Sequence, residues 1–407
     1  MSSRLTFVAV LFGAAFLACG CGRKSAPVPS AKTAPSARAA SPAAPSSPSP
    51  VAASDDGEET EAKVVEEHRA KGGKLAGLEI GEVNEIGPAG AASASARGVV
   101  MVTRIGELLL VPPSRFKTPL DRPEAEFAAS ARGPAVAGDF AYFVLDGRLV
   151  RRRLDGAGAL EVLADDARDG ARVSALPQSG KQPALAAYIT RPDKEGTSRA
   201  KLWFNGRTVA LTAEGAGASS VALVQNESKV LALSIDGRSA MTPVHARPID
   251  VAAAEPAPGN DQVVWVAGSA QALTEIAAGS DGKQSFGFLP IAKDVSHFGL
   301  AELGLAPGGV GDAEVSWRLY ANGIDLAPIS AAKICGSLFL VYARPIDARP
   351  RSSQELVLSR VGSSETAVLV SAQGFSSTSL ASADGKGGLL VYVADRRTFA
   401  LPLRCPA

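Results

Sequence analysis

Short apolar runs separated by turn residues are the feature that most constrains the fold of this chain. Beyond residue 74, runs of about five to eight residues rich in Val, Leu, Phe and Tyr alternate with Gly, Asp, Asn and Pro. Several of the turns are Asp-Gly or Asn-Gly, which favour type I′ hairpins because both central residues need positive φ. These dipeptides are Asp146-Gly147, Asn205-Gly206, Asp236-Gly237, Asn322-Gly323 and Asp384-Gly385. No stretch here keeps an amphipathic helical period, so the sequence predicts an all-β domain of antiparallel hairpins.

Grouped in fours, the predicted strands form repeats that begin near residues 86, 133, 171, 219, 271, 331 and 375. A spacing of roughly 40 to 60 residues is within or near the range expected of propeller blades. The segment 74–407 therefore resembles a β-propeller, most simply one of seven four-stranded blades, without the WD dipeptide of WD40 repeats or the double glycine of kelch repeats. Six or eight blades stay open, because Phe288–Gly311 is hard to divide into strands.

The last repeat has only three predicted strands before the chain ends. We expect the segment Leu75–Val83 to supply the missing strand, which would join the two ends of the domain and remove an exposed sheet edge. Two cysteines lie in this body, Cys335 and Cys405. A disulfide between them requires Cα atoms within about 7 Å, which the sequence alone leaves open.

One hexapeptide motif recurs within the body, as HARPID at 245–250 and YARPID at 342–347. If both copies lie on matching loops of one face, the four charged residues Arg247, Asp250, Arg344 and Asp347 could bind a polar ligand or a partner. The alternative is structural: the proline ends a strand, and the arginine and aspartate brace the following turn.

The N-terminal residues have the pattern of an export signal. Arg4 precedes an uncharged run, LTFVAVLFGAAFLA, that is too short to span a bilayer but long enough for a secretory signal. The next residues, FLAC, resemble the lipobox of bacterial lipoproteins, with Phe16 where that family prefers leucine. The resemblance implies a signal peptide at 1–18 and lipid attachment to Cys19, with Cys21 as the alternative. Because Gly20, not Asp, follows Cys19, it also implies the outer membrane, facing the periplasm or the cell surface.

Two segments separate the signal from the predicted propeller. Residues 19–54 are rich in Ala, Pro and Ser, with little apolar surface to bury, so we expect a disordered tether. A polyproline-like segment of roughly thirty residues would reach on the order of 90 Å. Residues 55–73 are acidic at the start and basic towards the end, which favours a short, marginal helix in a solvated stalk.

Composition argues against several classes of function. The 42 Lys and Arg residues nearly balance 41 Asp and Glu residues, so no strong overall field attracts nucleic acid. The three histidines lack metal-ligand spacing, and phosphate-binding and hydrolase motifs are absent, so neither a metal nor a cofactor is predicted. We expect a lipid-anchored interaction scaffold, more probable than an enzyme, that binds the bilayer and another envelope protein. The alternative is a propeller hydrolase or lyase acting on an envelope or extracellular polymer.

Overall fold

Antiparallel strands form most of the described chain. The computed structural model describes residues 73–75, 77–128, 132–237, 242–252, 255–266, 271–272, 275–294, 297–306, 309–319, 328–346, 353–383 and 386–406. The predicted signal peptide, the lipid-attachment cysteines, the tether and nearly all of the stalk lie outside these residues. Among the described residues, no helix combines the length and the apolar character needed to cross a membrane.

The described strands form seven sheets, which we number as blades 1 to 7. The chain starts with β1 (Gly73–Leu75), β2 (Leu78–Ile80) and β3 (Asn84–Pro88), which join blade 7. Blade 1 has β4 (Ala91–Ser95), β5 (Gly98–Val102) and β6 (Leu108–Val111). Blade 2 has β7 (Ala135–Ala137), β8 (Phe140–Leu145), β9 (Arg148–Arg153) and β10 (Glu161–Ala164).

Blade 3 has β11 (Ser174–Leu176), β12 (Leu185–Ile189), β13 (Ala200–Phe204) and β14 (Arg207–Ala210). Blade 4 has β15 (Ala218–Asn226), β16 (Lys229–Asp236), β17 (Pro243–Asp250), β18 (Ala257–Pro258) and β19 (Gln262–Val266). Blade 5 has β20 (Gln271–Ala272), β21 (Ala277–Ser280), β22 (Ser285–Asp294), β23 (His297–Ala306) and β24 (Gly309–Leu319).

Blade 6 has β25 (Ile329–Ile334), β26 (Ser337–Pro345), β27 (Gln354–Arg360) and β28 (Thr366–Ala372). Blade 7 has β29 (Phe375–Ala383), β30 (Gly387–Ala394) and β31 (Arg397–Arg404), together with the N-terminal strands. The seven sheets form a ring, so the chain folds as a seven-bladed β-propeller and the predicted fold class is confirmed.

The two ends of the domain meet in blade 7, as the sequence predicted. Strand β2 pairs with β31 through Glu79 opposite Arg404, and β3 pairs with the same strand through Glu85 opposite Phe399. Blade 1 consequently begins at Ala91 instead of near residue 86. Blade 1 also has three strands in the described chain, which corrects the expectation of four in every blade.

Each interface between neighbouring blades contains its own hydrophobic core. Successive residues of a strand point to opposite faces of a sheet, so every central strand can serve two cores. In β8, Phe143 packs towards blade 1 and Tyr142 packs towards blade 3. The same division occurs at all seven junctions, including the one between blades 7 and 1. Adjacent blades are therefore held by burial of apolar surface around the whole ring.

Serine hydroxyls in the first strands add a repeated hydrogen bond between neighbouring blades. In each case the hydroxyl accepts a backbone N–H from the next blade around the ring. The bonds run from Leu223 to Ser174 at 2.9 Å, from Ile276 to Ser220 at 3.1 Å, from Leu380 to Ser330 at 3.0 Å and from Ala94 to Ser379 at 3.1 Å. The last of these closes the junction between blades 7 and 1. Buried backbone donors at these junctions thereby keep a partner.

The predicted type I′ turns are confirmed at Asp146-Gly147 and Asn205-Gly206, whereas Asp236-Gly237 is not such a turn, since neither residue has positive φ. Asp146 and Gly147 have φ of 49° and 71°, and Asn205 and Gly206 have φ of 44° and 76°. Asp236 ends β16, and the Gly237 N–H donates to the Gly217 carbonyl. Asn322-Gly323 and Asp384-Gly385 lie outside the described residues.

Candidate functional site

Two arginines and a glutamate meet at one mouth of the propeller axis. The first strands of neighbouring blades contact one another and so surround this axis. Arg132, Arg172 and Glu275 come just before β7, β11 and β21, the strands that blades 2, 3 and 5 contribute around the axis. Glu275 forms an ion pair with Arg132 Nε at 3.2 Å and accepts a hydrogen bond from Arg172 at 2.9 Å, through different carboxylate oxygens. We call these three residues the axial cluster.

The axial cluster also makes hydrogen bonds to two further blades. Arg172 donates to the Ile329 carbonyl of blade 6 at 2.8 Å, and Arg132 donates to the Ser376 carbonyl of blade 7 at 2.6 Å. Five blades are thus linked across one mouth, and the small cavity there has room for about one water-sized species. Glu275 is the one carboxylate among the described residues that line it. A pair of carboxylates, as most glycoside hydrolases use, is not present among the residues described at this mouth.

Close packing of blades 1 and 2 narrows the same cavity. A Cβ atom on Gly133 would lie 2.2 Å from the Ala92 carbonyl oxygen and 2.4 Å from Ser93 Oγ. Only glycine fits at this point, because the first contact is with backbone that cannot rotate away.

A second polar group lies between blades 2 and 3. The Arg151 guanidinium lies between two aromatic rings, 4.8 Å from the centroid of Phe140 and 5.1 Å from that of Trp203. It also makes a bidentate ion pair with Glu161, at 2.7 and 3.1 Å. The edge of the guanidinium group pairs with Glu161 and its faces stack on the two rings, so Arg151 holds blades 2 and 3 together. The neighbouring Arg152 side chain instead donates to the Gly106 carbonyl at 3.2 Å, because successive residues of a strand point to opposite faces of the sheet.

Asp166 anchors a neighbouring network on the same blades. It accepts from Tyr188 at 2.8 Å and from Lys201 at 2.6 Å. Burial raises the pKa of Asp166, but the hydrogen bonds from Lys201 and Tyr188 outweigh burial and hold that pKa below its usual value. Burial, and next the bond to Asp166, raise the pKa of Tyr188 well above its ordinary value. Tyr188 is therefore a neutral donor at physiological pH and not a nucleophile.

Blade 1 presents an open edge where other blades have a fourth strand. The residues after β6 form two short 3-10 helices, Pro113–Arg115 and Glu124–Glu126, instead of a strand. Leu120 turns this segment towards blade 7 by donating its N–H to the Ile86 carbonyl at 2.7 Å. Among the described residues, nothing hydrogen-bonds to the outer edge of β6. A groove of about 430 Å³ lies beside it, lined by Leu109–Val111 and by residues 115 and 118–122.

The repeated hexapeptide does not form one site, which corrects the idea of matching loops on one face. Arg247 lies in the third strand of blade 4, whereas Arg344 lies in the second strand of blade 6. Second and third strands run in opposite directions, so the two copies end at opposite faces of the ring. Arg344 pairs with Glu355 at 2.9 Å on the adjacent strand, and Asp250 accepts the Ala252 N–H at 3.0 Å. These contacts match the structural alternative for the described residues; Asp347 lies outside them.

The structure joins Cys335 and Cys405 in a disulfide with Cα atoms 5.6 Å apart. Cys335 lies in the turn between β25 and β26, and Cys405 directly follows β31, so the bond links blades 6 and 7. Within the part of the chain that is described, no group of His, Cys, Asp and Glu has the arrangement of a metal site.

The axial cluster was missed by sequence reasoning because its members are far apart in the chain. Arg172 and Glu275 are separated by 103 residues. The available signal is positional: each of the three charged residues lies two or three residues before the strand of its blade that lines the axis. Such residues converge on the axis only when the blades form a ring.

Comparisons with known proteins assign no family to the chain. No protein-family profile matches it, and no curated protein is similar to it in sequence. A protein of unknown function from Dyadobacter fermentans is 12% identical, covers 81% of this chain and 100% of its own, and has a TM-score of 0.45. The N-terminal domain of S. cerevisiae Nup159 is 10% identical over 83% of this chain and 98% of its own, with a TM-score of 0.47. A subtype N11 neuraminidase-like protein from a Peruvian flat-faced bat isolate is 7% identical over 81% and 98%, with a TM-score of 0.45.

Proposed function

We propose that this protein is a lipid-anchored, non-enzymatic scaffold of the cell envelope that binds an extended segment of another envelope protein on blade 1. The anchoring part of the proposal rests on the lipobox-like FLAC sequence at Cys19 and on the Ala/Pro/Ser-rich segment that follows. The binding part rests on the open outer edge of β6.

The backbone edge of β6 is suited to accept one more strand. A peptide that adds to a sheet edge gains main-chain hydrogen bonds, and pockets beside the edge select its side chains. Leu108, Leu109 and Leu110 are each only half-buried, so an added strand would cover apolar side chains as well as backbone groups. The groove beside β6 would receive alternate side chains of that strand.

Charge indicates the chemistry of the partner. Arg115 and Lys117 are exposed beside the groove, and neither forms an ion pair with any described residue. The neighbouring Arg122 is already paired with Glu126 at 3.4 Å. An extended segment that alternates apolar and acidic residues therefore complements this edge best.

The closed axial mouth supports binding on the outer surface instead of at the centre. Arg132, Arg172 and Glu275 occupy one mouth, and the cavity there is too small for a sugar or a peptide. The ring itself is continuous, because both chain ends pair within blade 7. A rigid ring that presents one incomplete blade is a suitable frame for a protein partner.

Anchoring is tested by intact mass and membrane fractionation after expression in a Gram-negative host. We expect cleavage before Cys19 with added acyl chains, abolished by Cys19→Ala and retained in Cys21→Ala. The reverse dependence would move the anchor to Cys21. An unacylated, freely soluble mature protein would overturn the anchoring proposal.

Binding is tested by crosslinking in intact cells followed by purification and mass spectrometry. The test variant combines Arg115→Glu with Lys117→Glu, and the control combines Lys181→Glu with Lys194→Glu on exposed positions of blade 3. We expect a partner that the wild type and the control capture equally and that the test variant loses by at least about tenfold, equivalent to about 1.4 kcal/mol. Equal capture by all three would remove blade 1 as the site, and no reproducible partner would overturn the scaffold. A second copy of this chain as the captured species would make the edge a self-association site instead.

A further inference from the structure

Among the residues that the structure describes, the axial cluster has more positive than negative charge. Two guanidinium groups face a single carboxylate, and arginine stays protonated in proteins. The side chains are 25%, 27% and 12% exposed for Arg132, Arg172 and Glu275, so water solvates them only in part. A charge of one sign in such surroundings is costly unless an opposite charge accompanies it.

Both arginines keep hydrogen-bond donors beyond the contacts they make. Arg132 forms an ion pair with Glu275 and donates to Ser376, and Arg172 donates to Glu275 and to Ile329. A guanidinium group has more N–H donors than these two contacts use, and it has no acceptor. The cluster is therefore rich in donors and short of acceptors.

A buried hydroxyl without a partner lies at the same cavity. Thr378 lines the cavity and is 4% exposed, and its hydroxyl has no hydrogen-bond partner among the described residues. Ser93, also 4% exposed, lines the same space. Buried polar groups in native proteins are normally paired, so an orphan hydroxyl at a cavity indicates a bound species.

We propose that the axial cavity is a binding site for a small monovalent anion, chloride in ordinary salt solutions. The cavity has room for about one water-sized species, which excludes a sugar, a peptide and a phosphate ester. A monovalent anion there would neutralise the excess charge, accept N–H bonds from Arg132 and Arg172, and accept the Thr378 hydroxyl. A water molecule could satisfy the hydroxyl but would leave the charge unbalanced. This inference is independent of the proposed scaffold function.

The direct test is a crystal structure of the wild-type protein grown with sodium bromide, with data collected at the bromine absorption edge. We expect one anomalous peak on the axis, in contact with both guanidinium groups and with Thr378. Ordered water without anomalous signal at that position would overturn the proposal. A bromide peak without chloride dependence in the solution test below would mean binding at crystal concentration only, which also overturns it.

The solution test compares melting temperatures in sodium chloride and sodium gluconate at equal ionic strength. We expect a saturable rise with chloride; at ten times Kd the folded state would be favoured by about elevenfold. Arg172→Gln removes the excess charge but leaves Arg132 paired with Glu275, so the chloride response should disappear. Thr378→Val should weaken the response, because it removes one donor while keeping the shape of the side chain.

The matched control is Arg207→Gln, which removes the same charge from an exposed pair with Glu255 on blade 3. This variant should keep the full chloride response. Screening is equal in the two salts, so if Arg207→Gln and Arg172→Gln respond alike, chloride acts elsewhere on the protein and the axial site is excluded. If Arg172→Gln does not fold, the bromide map of the wild type decides.

Discussion

The neighbouring blades 7 and 1 differ in whether the outer edge of the third strand is covered. In blade 7, β31 is covered on its outer side by β2 and β3, and the disulfide links the following residue to blade 6. In blade 1, β6 is the outermost strand and its outer edge is open among the described residues. The N-terminal strands close the ring by completing blade 7, so blade 1 keeps an incomplete sheet.

Blades 7 and 1 are alike at the first residue of the second strand, which is a glycine in both. Gly98 and Gly387 each begin the second strand of their blade, with φ of 134° and 150°. A Cβ atom on Gly98 would lie 2.2 Å from the Val111 carbonyl oxygen, and one on Gly387 would lie 2.0 Å from that of Leu403. In both blades a Cβ atom at this position would clash with the backbone of the third strand. A difference in lost stability between Gly98→Ala and Gly387→Ala therefore shows how firmly the third strand is held.

The largest expected effect is loss of the disulfide that fixes blade 7. Replacing both cysteines, Cys335→Ala with Cys405→Ala, releases a bond between residues separated by 70 positions. Loop-closure entropy then predicts a loss of roughly 4 kcal/mol in the free energy of unfolding. Urea unfolding of the oxidised wild type and the double variant measures this. Reduced wild type should match the variant, and an unchanged midpoint would show that blade pairing alone holds the chain end.

Next in size is the cost of a methyl group at the two matching glycines. We expect Gly387→Ala to lower the free energy of unfolding by about 3 kcal/mol, because strained backbone and a clash with a fixed strand combine. Gly98→Ala should cost less, since β6 can move outwards. Gly374→Ala is the control: its Cβ would meet nothing within 4 Å, and its φ is not in the left-handed region. Equal losses at Gly98 and Gly387 would mean that β6 is as immobile as β31.

The smallest expected effect compares the two junctions that flank blade 7. Ser379→Ala removes the acceptor of the Ala94 N–H at the closing junction, and Ser330→Ala removes the acceptor of the Leu380 N–H at the junction with blade 6. Each should cost about 1 to 2 kcal/mol, because a buried donor loses its partner. Thermal unfolding of both variants side by side checks this. A much smaller cost for Ser379→Ala would identify the closing junction as the weak point of the ring.

Much of the fold was accessible from the sequence because strands and turns have local signatures. The Asp146-Gly147 and Asn205-Gly206 turns follow from the need for positive φ, and the blade starts follow from the spacing of apolar runs. The turns at Cys335-Gly336 and Asp395-Arg396 also have positive φ at both residues, yet Asp395-Arg396 contains no glycine to mark it. Ring closure was predictable because a three-stranded last repeat needs a partner strand.

The candidate site was not accessible in the same way. The HARPID repeat suggested a shared site, but strand direction separates its two copies to opposite faces. The axial cluster has no motif at all, and it exists because three loops end at the same axis. The open edge of blade 1 depends on where Pro112–Ala128 packs, and that is decided by burial of Phe116 and Phe127 between blades 7 and 1.

The strand content, the hairpin turns and the need for the chain ends to pair can be inferred from the amino-acid sequence, because they follow from local patterns along the chain. The axial cluster, the Cys335–Cys405 bond and the open edge of β6 arise only in the folded ring. These features join residues that are tens to hundreds of positions apart. Their meeting depends on how the blades pack around a common axis, and local periodicity carries no information about that geometry.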